Sequence, residues 1–477
     1  MDFLWQLFGL MIITLCFDFG GTFQKDPLGS NQQLTEELRS LVGEAEFGYD
    51  NLLLSTCQKQ HPDNVALDLS FSNIKELPKS FVSNQHVQTT CLDLQNNDFS
   101  NNVDFNDFQM QPNLEYLNLA QNDINLPDLL NNTSHSKIKT LILDKINNHI
   151  LKNGYYSRNY KDFSTLHLRL PNLETLSLRN IASDRIAHYQ DDFSYLDLTS
   201  TNLTHLFLSN NTISEIIERF FQKFPSTLTH LFLEKCLLTS YSAPMNQTAS
   251  LTLLSIDGNS FSCSNSNCLD FEGHPDLKYL SLANCRINVI SHNTFFFNSK
   301  LTYLDVSENK IQQLSDRVFR KTPALESLNL NNNQLSEIPN LYTLSNLKKL
   351  YVNNNQITNV NKKSFTNLGN LEILSLSSNN IKTIDAIDTF DNLSSLIVLN
   401  LSGNKLRYLD YKSPLNLDYL ILSKNSISSI NDIDLGNSTL KYLILGGNPI
   451  ISLTPKSLKF LSEDTTIVLQ CTETSEL

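Results

Sequence analysis

Apolar and polar positions along this chain recur in one pattern, L-x-x-L-x-L-x-x-N-x-L, sixteen times over. Clear copies read LEYLNLAQNDI from Leu114, LTYLDVSENKI from Leu301, LESLNLNNNQL from Leu325 and LKYLILGGNPI from Leu440. The central leucine of each copy falls at Leu67, Leu92, Leu117, Leu141, Leu176, Leu206, Leu231, Leu254, Leu280, Leu304, Leu328, Leu350, Leu374, Leu399, Leu420 and Leu443. Steps between them are mostly 21 to 26 residues, with two of 35 and 30. The L-x-L portion has period two, which predicts a short strand whose leucines point inward and whose intervening residues point to the other face. One copy cannot bury its own apolar side, so the copies must stack. Eleven of the sixteen carry Asn at the ninth position, including Asn122, Asn259, Asn309, Asn355 and Asn448; Cys236, Cys285, Ser72, Ile146 and Ile181 take it elsewhere. An amide there can satisfy backbone groups of neighbouring turns at a buried bend. The second half of most copies adds another apolar residue and often a Phe (Phe319, Phe365, Phe390 and the run Phe295 to Phe297), which reads as a Phe spine opposite the strands.

A period of roughly 20 to 29 residues with this pattern specifies an α/β solenoid of the leucine-rich-repeat kind, a horseshoe of about sixteen repeats. Its concave side is a parallel sheet and its convex side is irregular or 3-10. At ~4.8 Å per strand the concave sheet runs on the order of 75 Å. The 477 residues would suggest two or three domains by length alone. The repeats instead predict one elongated solenoid over 65–461, after a signal peptide at 1–21 and an N-terminal helix and cap at 22–64. A capping strand and tail follow at 462–477, because Ile467 and Leu469 continue the strand series.

The outward positions can be written down directly. The first carries Tyr116, His205, His230, Tyr279, Tyr303, Tyr419 and Tyr442; the second carries Phe207, Phe232, Tyr351, Ile421 and Ile444. THLFL occurs twice, placing His205 beside His230 and Phe207 beside Phe232, and YLIL at Tyr419 and Tyr442 predicts a Tyr-Ile ladder. Exposed rows of this kind mark protein contact surfaces; the competing reading is favourable stacking of like residues in duplicated repeats. For the His pair a metal site lacks a third ligand, which leaves a pH-sensitive contact or an ordinary aromatic patch. The 35-residue step holds Tyr155, Tyr156, Arg158 and Tyr160 in an excursion that is either a contact loop or a plain surface loop. Leu34, Leu38, Leu41, Val42 and Ala45 share one helical stripe, which packs on the first repeats or pairs with another chain.

Residues 3–17, FLWQLFGLMIITLCF, are short for a membrane span and suit a signal-peptide core ahead of Gly20 and Gly21. Asp2 gives a poor basic flank, so a retained anchor is the other reading. No later stretch resembles a span, and no transmembrane segment is expected once the leader is cleaved. The C-terminal Thr-Ser-Glu-Leu only faintly resembles an endoplasmic-reticulum retrieval signal. Asn131, Asn132, Asn202, Asn210, Asn246, Asn392, Asn400 and Asn437 each begin an N-glycosylation sequon, which agrees with export. A glycan on Asn400, between Leu399 and Leu401, would block part of the concave face. Cys57 and Cys91 bracket the first repeat and are candidates for a cap disulfide; Cys263 and Cys268 flank a short insertion and are candidates for a local one. Cys236 and Cys285 sit in ladder positions and read as buried free thiols. Cys471, beyond the last strand, is left either to bond another chain or to remain a spare thiol.

No G-x-S-x-G, H-E-x-x-H, P-loop or zinc-type Cys pairing is found, so neither an enzyme nor a cofactor is expected. With 36 basic residues against 49 acidic ones, net −13, the charge opposes nucleic acid as the main partner. The repeat grammar over roughly residues 57–470, with its Phe-containing second half and Asn ladder, resembles extracellular animal leucine-rich-repeat proteins. It is similar to that of Toll-like receptor ectodomains. The leader, solenoid and late cysteine together resemble secreted mosquito leucine-rich-repeat immune proteins, in which such cysteines join chains. That resemblance implies a secreted, non-enzymatic recognition protein of innate immunity that binds a protein partner through its concave face. The partner could be another leucine-rich-repeat chain linked through Cys471. Departing from the longer members, the sequence has no heptad coiled coil. The alternative is an adhesion or matrix protein resembling the chaoptin type.

Overall fold

The computed structural model of the chain describes residues 12–13, 65–77, 89–99, 108, 111–124, 126, 129, 137–146, 166–181, 196–213, 215–216, 221–243, 251–261, 268–384, 388–409, 411–412, 417–430, 433–434, 440–450, 461 and 465–469. The chain divides into two compact units, one of residues 47–287 and one of residues 288–477 with 1–46. Tyr155, Tyr156, Arg158, Tyr160, Cys57, Cys263, Cys471 and the stripe from Leu34 to Ala45 lie outside the described residues, as do Asn131, Asn132, Asn246 and Asn437.

Each unit is a parallel solenoid. In the 47–287 unit the strands are Val65–Asp68, Thr89–Asp93, Tyr116–Asn118, Thr140–Ile142, Thr175–Ser177, His205–Phe207, His230–Phe232, Leu253–Ser255 and Tyr279–Ser281. Each pairs in parallel with the next, central leucine opposite central leucine. In the 288–477 unit the series runs Tyr303–Asp305, Ser327–Asn329, Lys349–Tyr351, Ile373–Ser375, Val398–Asn400, Tyr419–Ile421, Tyr442–Ile444 and Thr466–Val468, again in register. All sixteen central leucines therefore lie on strands. Ile467 pairs with Leu443, continuing the series as the sequence indicated. The backbone of Ile12 and Ile13 pairs in parallel with Ile467 and Val468, a further two-residue strand of the sheet.

After each strand the chain bends through a left-handed residue one position before the ladder. In the 288–477 unit these are Glu308, Asn332, Asn354, Ser378, Gly403, Lys424 and Gly447. Asn180, Asn210, Gly258 and Asn284 do the same in the other unit. Asn and Gly recur there because that region is hostile to most side chains. At Gly258, φ +68, an added Cβ would also lie 2.7 Å from Lys235 Cγ.

The ladder side chains close the bend. Asn355 Nδ2 donates to Leu330 O of the preceding repeat at 3.0 Å and to Val352 O of its own at 3.2 Å, while its Oδ1 accepts from Leu335 N at 2.9 Å. One amide thus serves both a donor and two acceptors that water cannot reach. Cys236 and Cys285 are free, buried thiols, and their sulfurs donate to Leu208 O and Ile256 O, each at 3.2 Å. They replace the donating half of the amide.

On the turn side Phe295, Phe319, Phe365 and Phe390 are buried. Phe295 stacks on Phe319 at 6.4 Å and Phe365 lies 5.5 Å from Phe390. The run of three phenylalanines does not act as a unit: Phe296 and Phe297 are 44% and 40% exposed. Consecutive residues on a turn diverge, so only Phe295 can follow the spine. A 3-10 turn at Lys362–Phe365, capped by Asn361 Oδ1 accepting from Lys363 N, and short pairs such as Asn359–Val360 with Thr383–Ile384 make up this side.

Candidate functional site

The duplicated THLFL segment builds the most regular part of the sheet face. Strand pairing sets His205 against His230 and Phe207 against Phe232. The two imidazoles stack at 4.1 Å and 19°, the two phenyl rings at 4.4 Å and 4°. Thr204 Oγ donates to Glu174 O at 3.0 Å and lies 2.8 Å from His205 Nδ1; Thr229 Oγ repeats this with Thr204 O at 3.2 Å and His230 Nδ1 at 2.8 Å. Each hydroxyl thus bridges a backbone carbonyl of the preceding repeat and the Nδ1 of the adjoining histidine, which holds both rings in the same orientation.

Residues beyond the expected rows complete this patch. The Arg179 guanidinium lies over the Phe207 ring at 4.9 Å, and Asp144 accepts from Ser177 Oγ at 2.6 Å and from Arg179 N at 2.8 Å. Ser209 Oγ donates to Glu234, and Asp257 accepts from Ser281 Oγ and Ala283 N, both at 2.7 Å. Arg179, Asp144, Glu234 and Asp257 share one offset, two residues past the second outward position, which is the signal in the sequence that could have found them.

The outward rows are not the exposed rows that the alternation predicts. Phe207, Phe232, Ile421 and Ile444 are buried, and so are Tyr116, Tyr351 and Tyr419; His205, His230, Tyr303 and Tyr442 are half-buried. Only Tyr279 among the named residues is exposed, at 39%. Neighbouring strands hold like side chains in contact, as with Tyr419 and Tyr442 at 5.1 Å and 9°, and this lateral packing removes them from water. Tyr351, Ile373, Val398, Tyr419, Ile421, Ile444 and Val468 form one cluster, and Cys91, Tyr116, Ala120, Ile142, Phe207, Phe232 and Leu253 another. Burial pushes the Tyr351 hydroxyl up to about 12. Two water-facing isoleucines therefore do not argue for a partner at the Tyr-Ile ladder.

Asn400 is also buried, with its Oδ1 accepting from Ser402 N at 3.0 Å and Ser402 Oγ at 2.8 Å. A glycan has no path to it in this fold, which corrects that sequon; Asn202, Asn210 and Asn392 are exposed. Cys91 and Cys268 each take part in a disulfide. Among the described residues no group of three or more His, Cys, Asp or Glu is placed to hold a metal ion, and no helix is long and apolar enough to cross a membrane.

Burial, and secondarily the neighbouring His205, lowers His230 to about 4 from 6.5; burial also lowers His205. Because the folded value lies below the unfolded one, protons bind the unfolded chain first. Stability is full above pH 6.5 and falls as pH drops toward 4, by about 2 kcal/mol after allowing for partial solvation. Denaturant melts of the chain at neutral and acidic pH should show this loss, and His205→Phe/His230→Phe should flatten it. An unchanged slope in that double variant would place the pH dependence elsewhere.

Leucine-rich-repeat models match residues 275–335 and 345–406, a two-copy repeat model matches 323–365, and a single-repeat model matches 202–224. The chain is a leucine-rich-repeat protein. Over 280 residues this leucine-rich-repeat chain is 26% identical to the transforming growth factor beta activator LRRC33 of Danio rerio. The alignment takes in 50% of the chain but spans only 37% of that relative's length. Its fold is similar to that of the Drosophila Toll–Spatzle complex, with TM-score 0.63 at 20% identity over 82% of this chain and 52% of that one. The glycosylated form of that complex gives 0.55 with the same coverage.

Proposed function

We propose that the chain is a secreted, non-enzymatic recognition protein of innate immunity that binds a protein partner through its sheet face. The observation that carries the reading is the half-buried His205 and His230 pair, held beside the buried Phe207 and Phe232 rings. Stacked rings fix its surface, and Arg179, Asp144 and Glu234 border it. Rigid aromatic groups beside fixed polar ones suit a protein interface, because little side-chain entropy is lost on docking. A small-molecule site would instead need a deep cleft with convergent polar groups. Toll, whose fold is similar, is held with a protein, Spatzle, in the compared structure, which supports the same class of partner. The leader-like N-terminus and the exposed sequons at Asn202, Asn210 and Asn392 support an extracellular setting. The immune setting rests on the resemblance of the repeat grammar.

A single substitution tests the use of this face. Tyr279→Asn creates the sequon Asn-Leu-Ser with Ser281 and places a glycan on the exposed sheet position of the 47–287 unit. Protein captured from extracellular fluid by the wild-type chain should be lost with Tyr279→Asn and regained with Tyr279→Asn/Ser281→Ala, which has no glycan. Equal capture by all three chains would overturn the sheet-face reading. Recovery of the wild type only from inside the producing cells would overturn secretion.

A further inference from the structure

We infer that the turn side of the 288–477 unit carries a docking surface for an anionic phospholipid bilayer, built from Phe296 and Phe297 with Arg317, Arg320 and Lys321. The surface lies on the turns and does not rest on partner binding by the sheet face. Phe295 and Phe319 stand six residues before Leu301 and Leu325 in successive repeats, and their rings stack at 6.4 Å and 5°. That buried pair fixes the register of the next two residues on each turn. By the same offset Phe296 corresponds to Arg320 and Phe297 to Lys321 in successive repeats. On the next turn Leu341 is buried and Tyr342, in the Phe296 and Arg320 row, is 47% exposed.

Phe296 and Phe297 meet edge to face at 5.1 Å, and Lys321 Nζ lies 5.4 Å from the Phe296 ring centre. Arg317, Arg320 and Lys321 are exposed, and none forms an ion pair among the described residues. The two turns at 291–300 and 315–324 hold the cations Lys300, Arg317, Arg320 and Lys321 against one carboxylate, Asp316. That local excess runs against the chain's overall charge of −13.

The mixture of groups selects the occupant. A sulfated glycan would use the cations and leave two phenyl rings in water. The headgroup and acyl boundary of a bilayer takes both, with the rings in the apolar layer and the guanidinium and ammonium groups at the phosphates. Neither Phe has a polar atom to satisfy there, and both stand on turns, where they can enter a planar surface.

The test uses the whole 477-residue chain and vesicles of phosphatidylserine and phosphatidylcholine in equal parts, with phosphatidylcholine vesicles as the control. Co-sedimentation should occur with the mixed vesicles only and weaken with added salt. Phe296→Ser/Phe297→Ser and Arg320→Glu/Lys321→Glu should each weaken it about tenfold or more, with melting temperature unchanged. Absence of vesicle binding, or binding undiminished by both variants, overturns the inference. Retention on heparin that the Phe variant does not alter, without vesicle binding, overturns it in favour of a sulfated glycan.

Discussion

Asn379→Leu should destabilise the 288–477 unit by about 2–3 kcal/mol, the order expected when the buried Ile357 N–H loses its partner and three carbonyls each keep one donor of two. Asn379 Nδ2 donates to Val352 O at 2.9 Å in the preceding repeat and to Leu376 O and Ser377 O at 3.1 and 3.2 Å in its own. Its Oδ1 accepts from Ile357 N at 3.1 Å. Leucine keeps the branched four-atom outline, so no cavity forms, while its two methyl groups are bulkier than the amide oxygen and nitrogen they replace. Because each repeat contacts only its neighbours, the damage should concentrate between the repeats centred on Leu350 and Leu374. Hydrogen exchange should show Ile357 N–H losing protection first, and thermal melts should show an earlier transition. Asn379→Cys should cost less, since Cys236 and Cys285 already donate across the ladder through sulfur. If leucine and cysteine behave alike at this position, hydrogen bonding is not what the ladder contributes.

The strand positions and register were legible because a leucine at fixed spacing has only one way to face inward on a strand. The ladder was legible for a similar reason: an amide between apolar positions must meet backbone groups. What the alternation could not show was the state of the opposite face. Ile421 and Phe232 occupy outward positions, yet both are buried. Their neighbours lie one repeat away on either side, 21 to 26 residues off in sequence, and contact between them depends on what each adjacent repeat places at the same position. Phe207 beside Phe232 fills the strand spacing; Ser255 beyond it does not add a ring. Arg179 and Asp144 escaped notice because they lie past the strand, where the chain bends and period two no longer assigns a face. Asn400 shows the same limit from the chemical side, since a sequon reports sequence and says nothing of access.

Phe295→Ala and Phe296→Ala should differ in stability by several kcal/mol although the residues are adjacent. Phe295 is fully buried against Phe319, and removing a ring from such a site costs about 3–5 kcal/mol through lost transfer energy and the cavity left behind. The cavity cannot collapse easily, because strand pairing on the far side fixes the separation of the two repeats. Phe296 is 44% exposed and meets Phe297 and Lys321, so its removal should move stability by about 0.5 kcal/mol or less. Denaturant melts of the two variants beside the wild type measure both numbers under one condition. Equal losses would mean that the run of three phenylalanines is buried as a block, and the turn would then have no apolar surface to offer. A large loss for Phe295 alone leaves Phe296 unexplained by folding. An aromatic side chain that faces water, contributes little to the fold and stands beside unpaired cations then has its physical rationale in what it touches outside the chain.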